Sequence, residues 1–131
     1  AQGELAEDGP ALPGGSESIL LVEDDRDVRR SLAAALERLG YGIIPRENGA
    51  EGLRYLEHEN VDLLISDIVM PGGVSGIELA TQARDLNPNL KVILISGYAE
   101  VSGVAVCDVV LGKPVSRDTL ALTVREICDR P

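Results

Sequence analysis

The sequence contains no tryptophan and no phenylalanine, and only three tyrosines among 131 residues. The core must therefore be aliphatic, and a flavin site that stacks aromatic rings on an isoalloxazine is disfavoured. His58 is the only histidine. One histidine cannot build a zinc centre; in the polar stretch EHEN it reads as a helix-end residue that helps cap or faces water, and as a poor phosphodonor. The two cysteines, Cys107 and Cys128, lack metal-ligand spacing and read as small, at least partly buried thiols, as expected in a reducing cytoplasm. Basic residues are few: 12 Lys and Arg against 22 Asp and Glu give a net charge of −10, which argues against nucleic-acid binding. No apolar run reaches the ~18 residues that a membrane span needs, and no signal peptide is visible. The expectation is a cytoplasmic domain with no membrane contact. The excess acid is either a solvated surface or, in part, a gathered cation site.

Against these absences stands a regular alternation. Residues 1–17 (AQGELAEDGPALPGGSE) are rich in Gly, Pro and acid, have no hydrophobic period, and read as a flexible tail or interdomain linker. Residues 18–131 suit one domain. Position 1 is Ala rather than Met, so the chain is expected to be part of something longer. Apolar runs at 19–22, 61–65, 92–95 and 106–111, with a weaker one at 42–46, predict five strands. Three helical faces lie between them and a fourth follows the last: Val28, Leu32, Ala35, Leu36 and Leu39, capped by Asp27 and stopped by Gly40; Ala50, Leu53 and Leu56, opened by Asn48; Ile77, Ala80, Ala83 and Leu86, ended by Asn87-Pro88; and Leu120, Val124 and Ile127, starting near Ser116. Strands that are apolar on both faces and alternate with helices predict an α/β fold, a parallel sheet covered on both sides.

In such a sheet all strands end on one edge, and ligands bind outside that edge. The polar residues ending the strands are Glu23, Asp24 and Asp25, then Asp67, Ser96 and Lys113. Carboxylates crowded together oppose one another's ionisation. A hard divalent cation removes that cost, and Mg²⁺ is the natural choice because it takes one or two carboxylates, water and phosphate oxygens. A phosphoryl group on Asp67 could be clamped by the metal and Lys113, with a hydrogen bond from the Ser96 hydroxyl. Gly72-Gly73 and Gly76 lack the GxxxxGK[ST] pattern and read as a turn.

The segments LLVEDD, LLISDIVMPGGVSG, VILISGYA and LGKP, each at a strand end, resemble the receiver domains of two-component response regulators and hybrid histidine kinases. The resemblance covers about residues 18–129. It implies a flavodoxin-like (βα)₅ doubly wound sheet of strand order 2-1-3-4-5. It also implies that Asp67 is the phosphoacceptor, that Glu23 and Asp24 hold Mg²⁺ with Asp67, and that Val69 lends a backbone carbonyl. Asp25 falls one place beyond the acidic pair. Ser96 matches the switch hydroxyl, Lys113 the phosphate-contacting lysine, and Pro114 the proline usually preceded by a cis bond. The implied partner is a histidine kinase or histidine phosphotransfer domain, in cis or in trans. Such a domain catalyses its own phosphorylation from a phosphohistidine without being a turnover enzyme. MPGGVSG and SGYA are most similar to receivers at the carboxyl end of hybrid sensor histidine kinases.

Two departures stand out. The family's aromatic switch position, three residues before the lysine, is Val110. Only 16 residues separate Ser96 from Lys113, which leaves room for a shortened fourth helix or none. The alternative function is a degenerate receiver that binds proteins without being phosphorylated.

Overall fold

Five strands and four helices alternate along the chain: β1 Ser18–Val22, α1 Arg26–Glu37, β2 Gly42–Arg46, α2 Gly49–His58, β3 Leu63–Asp67, α3 Gly76–Leu86, β4 Lys91–Ser96, β5 Val109–Gly112 and α4 Arg117–Cys128. This is a computed structural model, which describes residues 12–70, 72–97 and 106–131. Pro71 and residues 98–105, where a shortened fourth helix or none was expected, lie outside the described residues, as do residues 1–11 of the expected tail.

All strand pairs are parallel, as the sequence pattern predicts, and the sheet order is β2-β1-β3-β4-β5, as the resemblance implies. Leu20 and Leu64 face each other across the central pair, and the two-residue period of the strands sorts the core into two layers. Leu20, Val22, Leu64, Val92 and Leu94 pack under α2 and α3. Ile19, Leu21, Leu63, Ile65, Ile93 and Ile95 pack under α1 and α4. Each fully buried Leu or Ile contributes about 1.5–3 kcal/mol, so an aliphatic core suffices without aromatics. The chain leaves β1 for β2 on one side and returns to β3 on the other. This reversal opens a crevice beyond the ends of β1 and β3.

Several local expectations are corrected. Asp25, not Asp27, caps α1: its Oδ1 accepts from the amides of Asp27 (2.9 Å) and Val28 (3.0 Å). Ala50 is exposed, and Gly52 takes the inward position, because α2 crosses β1 so closely that a Cβ there would lie 2.9 Å from Val22 Cγ2. On α3, Ile77 and Leu86 are 37% and 52% exposed while Leu79 is buried. Gly76 sets that rotation, since a Cβ on it would stand 2.1 Å from the Asp67 carbonyl oxygen. β5 begins at Val109 rather than at 106. Ahead of it, the Asp108 amide still donates to the Val92 carbonyl (2.9 Å), while its carboxylate accepts from the Val92 amide (2.7 Å) and from Arg84 (2.8 Å), so a side chain takes over from the backbone ladder there.

Residues 12–17 have no regular structure, yet the last of them are tied to the domain. Gly15 donates to the Leu39 carbonyl (3.1 Å), and the Gly42 amide donates to the Glu17 carbonyl (3.0 Å). Arg125 on α4 reaches the Gly14 carbonyl and the Glu17 carboxylate. Cys107 and Cys128 are half-buried; burial pushes the Cys128 thiol up to about 11. Among the described residues, no helix is long and apolar enough to cross a membrane.

Candidate functional site

The strand ends bring the expected residues to one rim. β1 runs into Glu23, whose amide continues the ladder by donating to the Arg46 carbonyl (3.1 Å). β3 ends on Asp67 and β4 on Ser96. The Lys113 amide donates to the Ser96 carbonyl (2.8 Å), so β4 fixes where the lysine stem starts. The peptide bond between Lys113 and Pro114 is cis, as the resemblance implies.

Carboxylate oxygens of Glu23, Asp24 and Asp67 lie within 4.8 Å of one another. Glu23 is 1% exposed and Asp67 5%, whereas Asp24 is open to solvent. Lys113 Nζ donates to Asp67 Oδ2 at 2.7 Å and stands 3.4 Å from Glu23 Oε1. That second contact lacks hydrogen-bond geometry, and Glu23 Oε1 is buried without a hydrogen-bond partner. Burial pushes the Glu23 carboxyl above its usual range. The Asp25 amide, donating to Oε2 at 3.0 Å, works against this shift, and the Asp67 charge adds to it. Partial burial disfavours the Lys113 ammonium, but the Asp67 hydrogen bond and the Glu23 charge outweigh it and raise its pKa.

Three carboxylates thus face one ammonium, and a buried oxygen lacks a donor. Burying an unpaired charge is costly, and a hard cation with oxygen ligands would relieve it. The donor set therefore fits Mg²⁺. Asp25 stands apart from the cluster, because its carboxylate is spent on capping α1. Val69 follows Asp67 by two residues, with its side chain 58% exposed between buried Ile68 and Met70. Ser96 is buried at the end of β4.

Three supports were not read from the sequence. The Ser66 hydroxyl donates to the Asp67 carbonyl (2.9 Å). The Gly76 amide donates to the Ile68 carbonyl (2.8 Å), which seats the start of α3 against the acceptor strand. Arg29 Nη1 donates to the Glu23 carbonyl (2.8 Å). Gly76 alone had a signal, as a glycine directly after Ser75, which caps α3 by accepting from the Glu78 amide.

Comparison with known proteins agrees with this geometry. Residues 19–125 match the family model described as the response regulator receiver domain. The response regulator receiver protein CpdR of Brucella abortus is 48% identical over 84 residues, 64% of this chain and 69% of that protein. The sensor kinase CckA of the same organism is 37% identical over 123 residues, 88% of this chain but 13% of that protein. Among solved structures, the receiver domain of the hybrid histidine kinase CckA superposes with a TM-score of 0.75 at 35% identity, over 86% of this chain and 99% of that one. The response regulator TrrA from Thermotoga maritima, solved in complex with Mg²⁺-BeF, gives 0.78 at 33% identity, over 85% and 98%. The strand order, the acidic rim with its lysine, and these matches together make the chain a member of the response regulator receiver domain family of two-component signalling.

Proposed function

We propose that Asp67 accepts a phosphoryl group from a phosphohistidine on a histidine kinase or histidine phosphotransfer domain, with Mg²⁺ held by Glu23, Asp24 and Asp67 and by the Val69 carbonyl. The observation that carries this reading is the cluster of three carboxylates whose innermost oxygen has no hydrogen-bond donor, closed on one side by Lys113. A carboxylate oxygen of Asp67 attacks phosphorus. The phosphorus–nitrogen bond breaks, and its electron pair stays on the imidazole, which takes up a proton. Lys113 leaves Asp67 Oδ2 to pair with a phosphoryl oxygen, and Ser96 donates its hydroxyl hydrogen to another. Mg²⁺, when bound, supplies positive charge that a single ammonium cannot. Residues 18–131 would form the working domain, acting in the cytoplasm. The similarity to the sensor kinase CckA supports transfer in cis within a hybrid kinase.

Incubation with Mg²⁺ and acetyl phosphate, followed by intact-mass measurement, tests the reading. A single phosphoryl adduct is expected on the wild type and none on Asp67→Asn. An adduct that persists in Asp67→Asn overturns it, as does an unmodified wild type.

A further inference from the structure

Three carboxylates within 4.8 Å repel one another when no cation is present. The least costly escape is through Asp24, which is exposed and lies in the two-residue turn between β1 and the cap of α1. That turn is held from two sides. Asp25 caps α1 and its amide donates to Glu23 Oε2. From the next turn of α1, Arg29 Nη1 donates to the Glu23 carbonyl at 2.8 Å and stands 3.5 Å from the Asp24 carbonyl.

The choice of atoms matters. A guanidinium next to an acidic cluster ordinarily pairs with a carboxylate in a two-pronged contact. Here it takes peptide oxygens of the turn, so it does not occupy the carboxylate oxygens. A carbonyl's direction is set by the ψ of its own residue and the φ of the next. Fixing the Glu23 carbonyl therefore fixes the peptide plane joining Glu23 to Asp24, and with it the directions in which both side chains leave the backbone.

We infer that Arg29 is a positioning residue for the cation site: through the Glu23 and Asp24 carbonyls it preorganises the acidic turn that receives Mg²⁺. This rests on the function proposed above. Groups behind metal ligands typically change affinity by about 10- to 100-fold when removed. Because Arg29 acts on the backbone at a partly exposed turn, the lower figure is expected.

The test compares Arg29→Ala and Arg29→Lys with the wild type, using Mg²⁺ titration followed by amide shifts, amide hydrogen exchange in metal-free protein, and thermal melting. Arg29→Ala should weaken Mg²⁺ binding roughly tenfold and speed exchange at the Asp24 and Asp25 amides, with the rest of the sheet protected as before. Arg29→Lys, which keeps the charge and one donor, should recover part of both. Unchanged exchange at these amides in a folded Arg29→Ala protein overturns the inference, as does equal or tighter Mg²⁺ binding. So do equal effects of Lys and Ala on both readouts, which would leave no role for the donor. If the wild type itself takes up no Mg²⁺, the proposed function fails, while the exchange measurement still decides whether Arg29 holds the turn. If Arg29→Ala does not fold, Arg29→Lys decides: affinity and exchange identical to wild type overturn the inference, and weaker Mg²⁺ binding with faster exchange than wild type supports it.

Discussion

The two edges of the sheet treat acidic side chains in opposite ways. At the edge where the strands start, carboxylates are matched with donors. Asp62 accepts from the amide and hydroxyl of Ser18, Asp108 from Arg84 and the Val92 amide, and Glu17 from Arg125. At the edge where the strands end, Glu23 and Asp67 share one lysine, Asp24 crowds in beside them, and one buried oxygen has no hydrogen bond. The same residue types thus stitch the domain together at one edge and remain under-compensated at the other. Under-compensation of this kind fits the cation site proposed above, with the domain's stability drawn from elsewhere.

Substitutions at the two edges should separate these roles. The largest effect is expected where fold and site meet: Gly76→Ala places a Cβ 2.1 Å from the Asp67 carbonyl oxygen, and overpacking of this severity costs about 3 kcal/mol. Urea unfolding should show a matching drop in midpoint, together with loss of Mg²⁺ binding. Asp108→Ala strands Arg84 and the Val92 amide and should cost about 2 kcal/mol. Its Mg²⁺ titration should be unaltered, and a large loss of binding would erase the contrast between the edges.

Glu23→Gln should act in the opposite direction. The fold raises the Glu23 pKa above 4.5, so it favours the protonated form. Metal-free wild type therefore loses stability as the pH rises from about 4.5 through the folded-state value. The Gln variant should lack that slope, be more stable at neutral pH by about 1 kcal/mol, and bind Mg²⁺ poorly. Denaturation at a series of pH values checks the sign.

The smallest change belongs to Glu17→Gln. The Arg125 hydrogen bonds lower the Glu17 pKa, so its contribution is present above pH 4.5 and fades as the pH falls through the lowered value. Both partners are partly exposed, and the loss at neutral pH should stay below about 1 kcal/mol. A greater loss would make this clasp a core element rather than a surface stitch.

The strands and the gathering of Glu23, Asp24, Asp67, Ser96 and Lys113 were legible because both follow from order along the chain. Apolar runs of strand length recur, and every parallel strand delivers its last residue to one edge. What escaped depends on close approaches that no period encodes. The rotation of α3 follows from Gly76 lying against a carbonyl, so Ile77 and Leu86 point outward and Leu79 inward. Either Asp25 or Asp27 could cap α1 by residue type, and only the backbone at Asp25, extended at φ −76° and ψ 118°, decides between them. Arg29 is one of several arginines on α1, and nothing in its spacing marks it as the one that bends back to the acidic turn.

The grip of Arg125 has a consequence for how this unit can be combined with others. One guanidinium holds the Gly14 carbonyl and the Asp129 carboxylate, so the described chain enters and leaves the domain within the span of a single side chain. Both ends lie on the edge where strands start, a full sheet-height from the acidic rim. Units with neighbouring ends tolerate insertion and circular permutation. Spliced into a loop of another protein, this domain would need little widening of the loop and would keep its acidic rim turned away from its host.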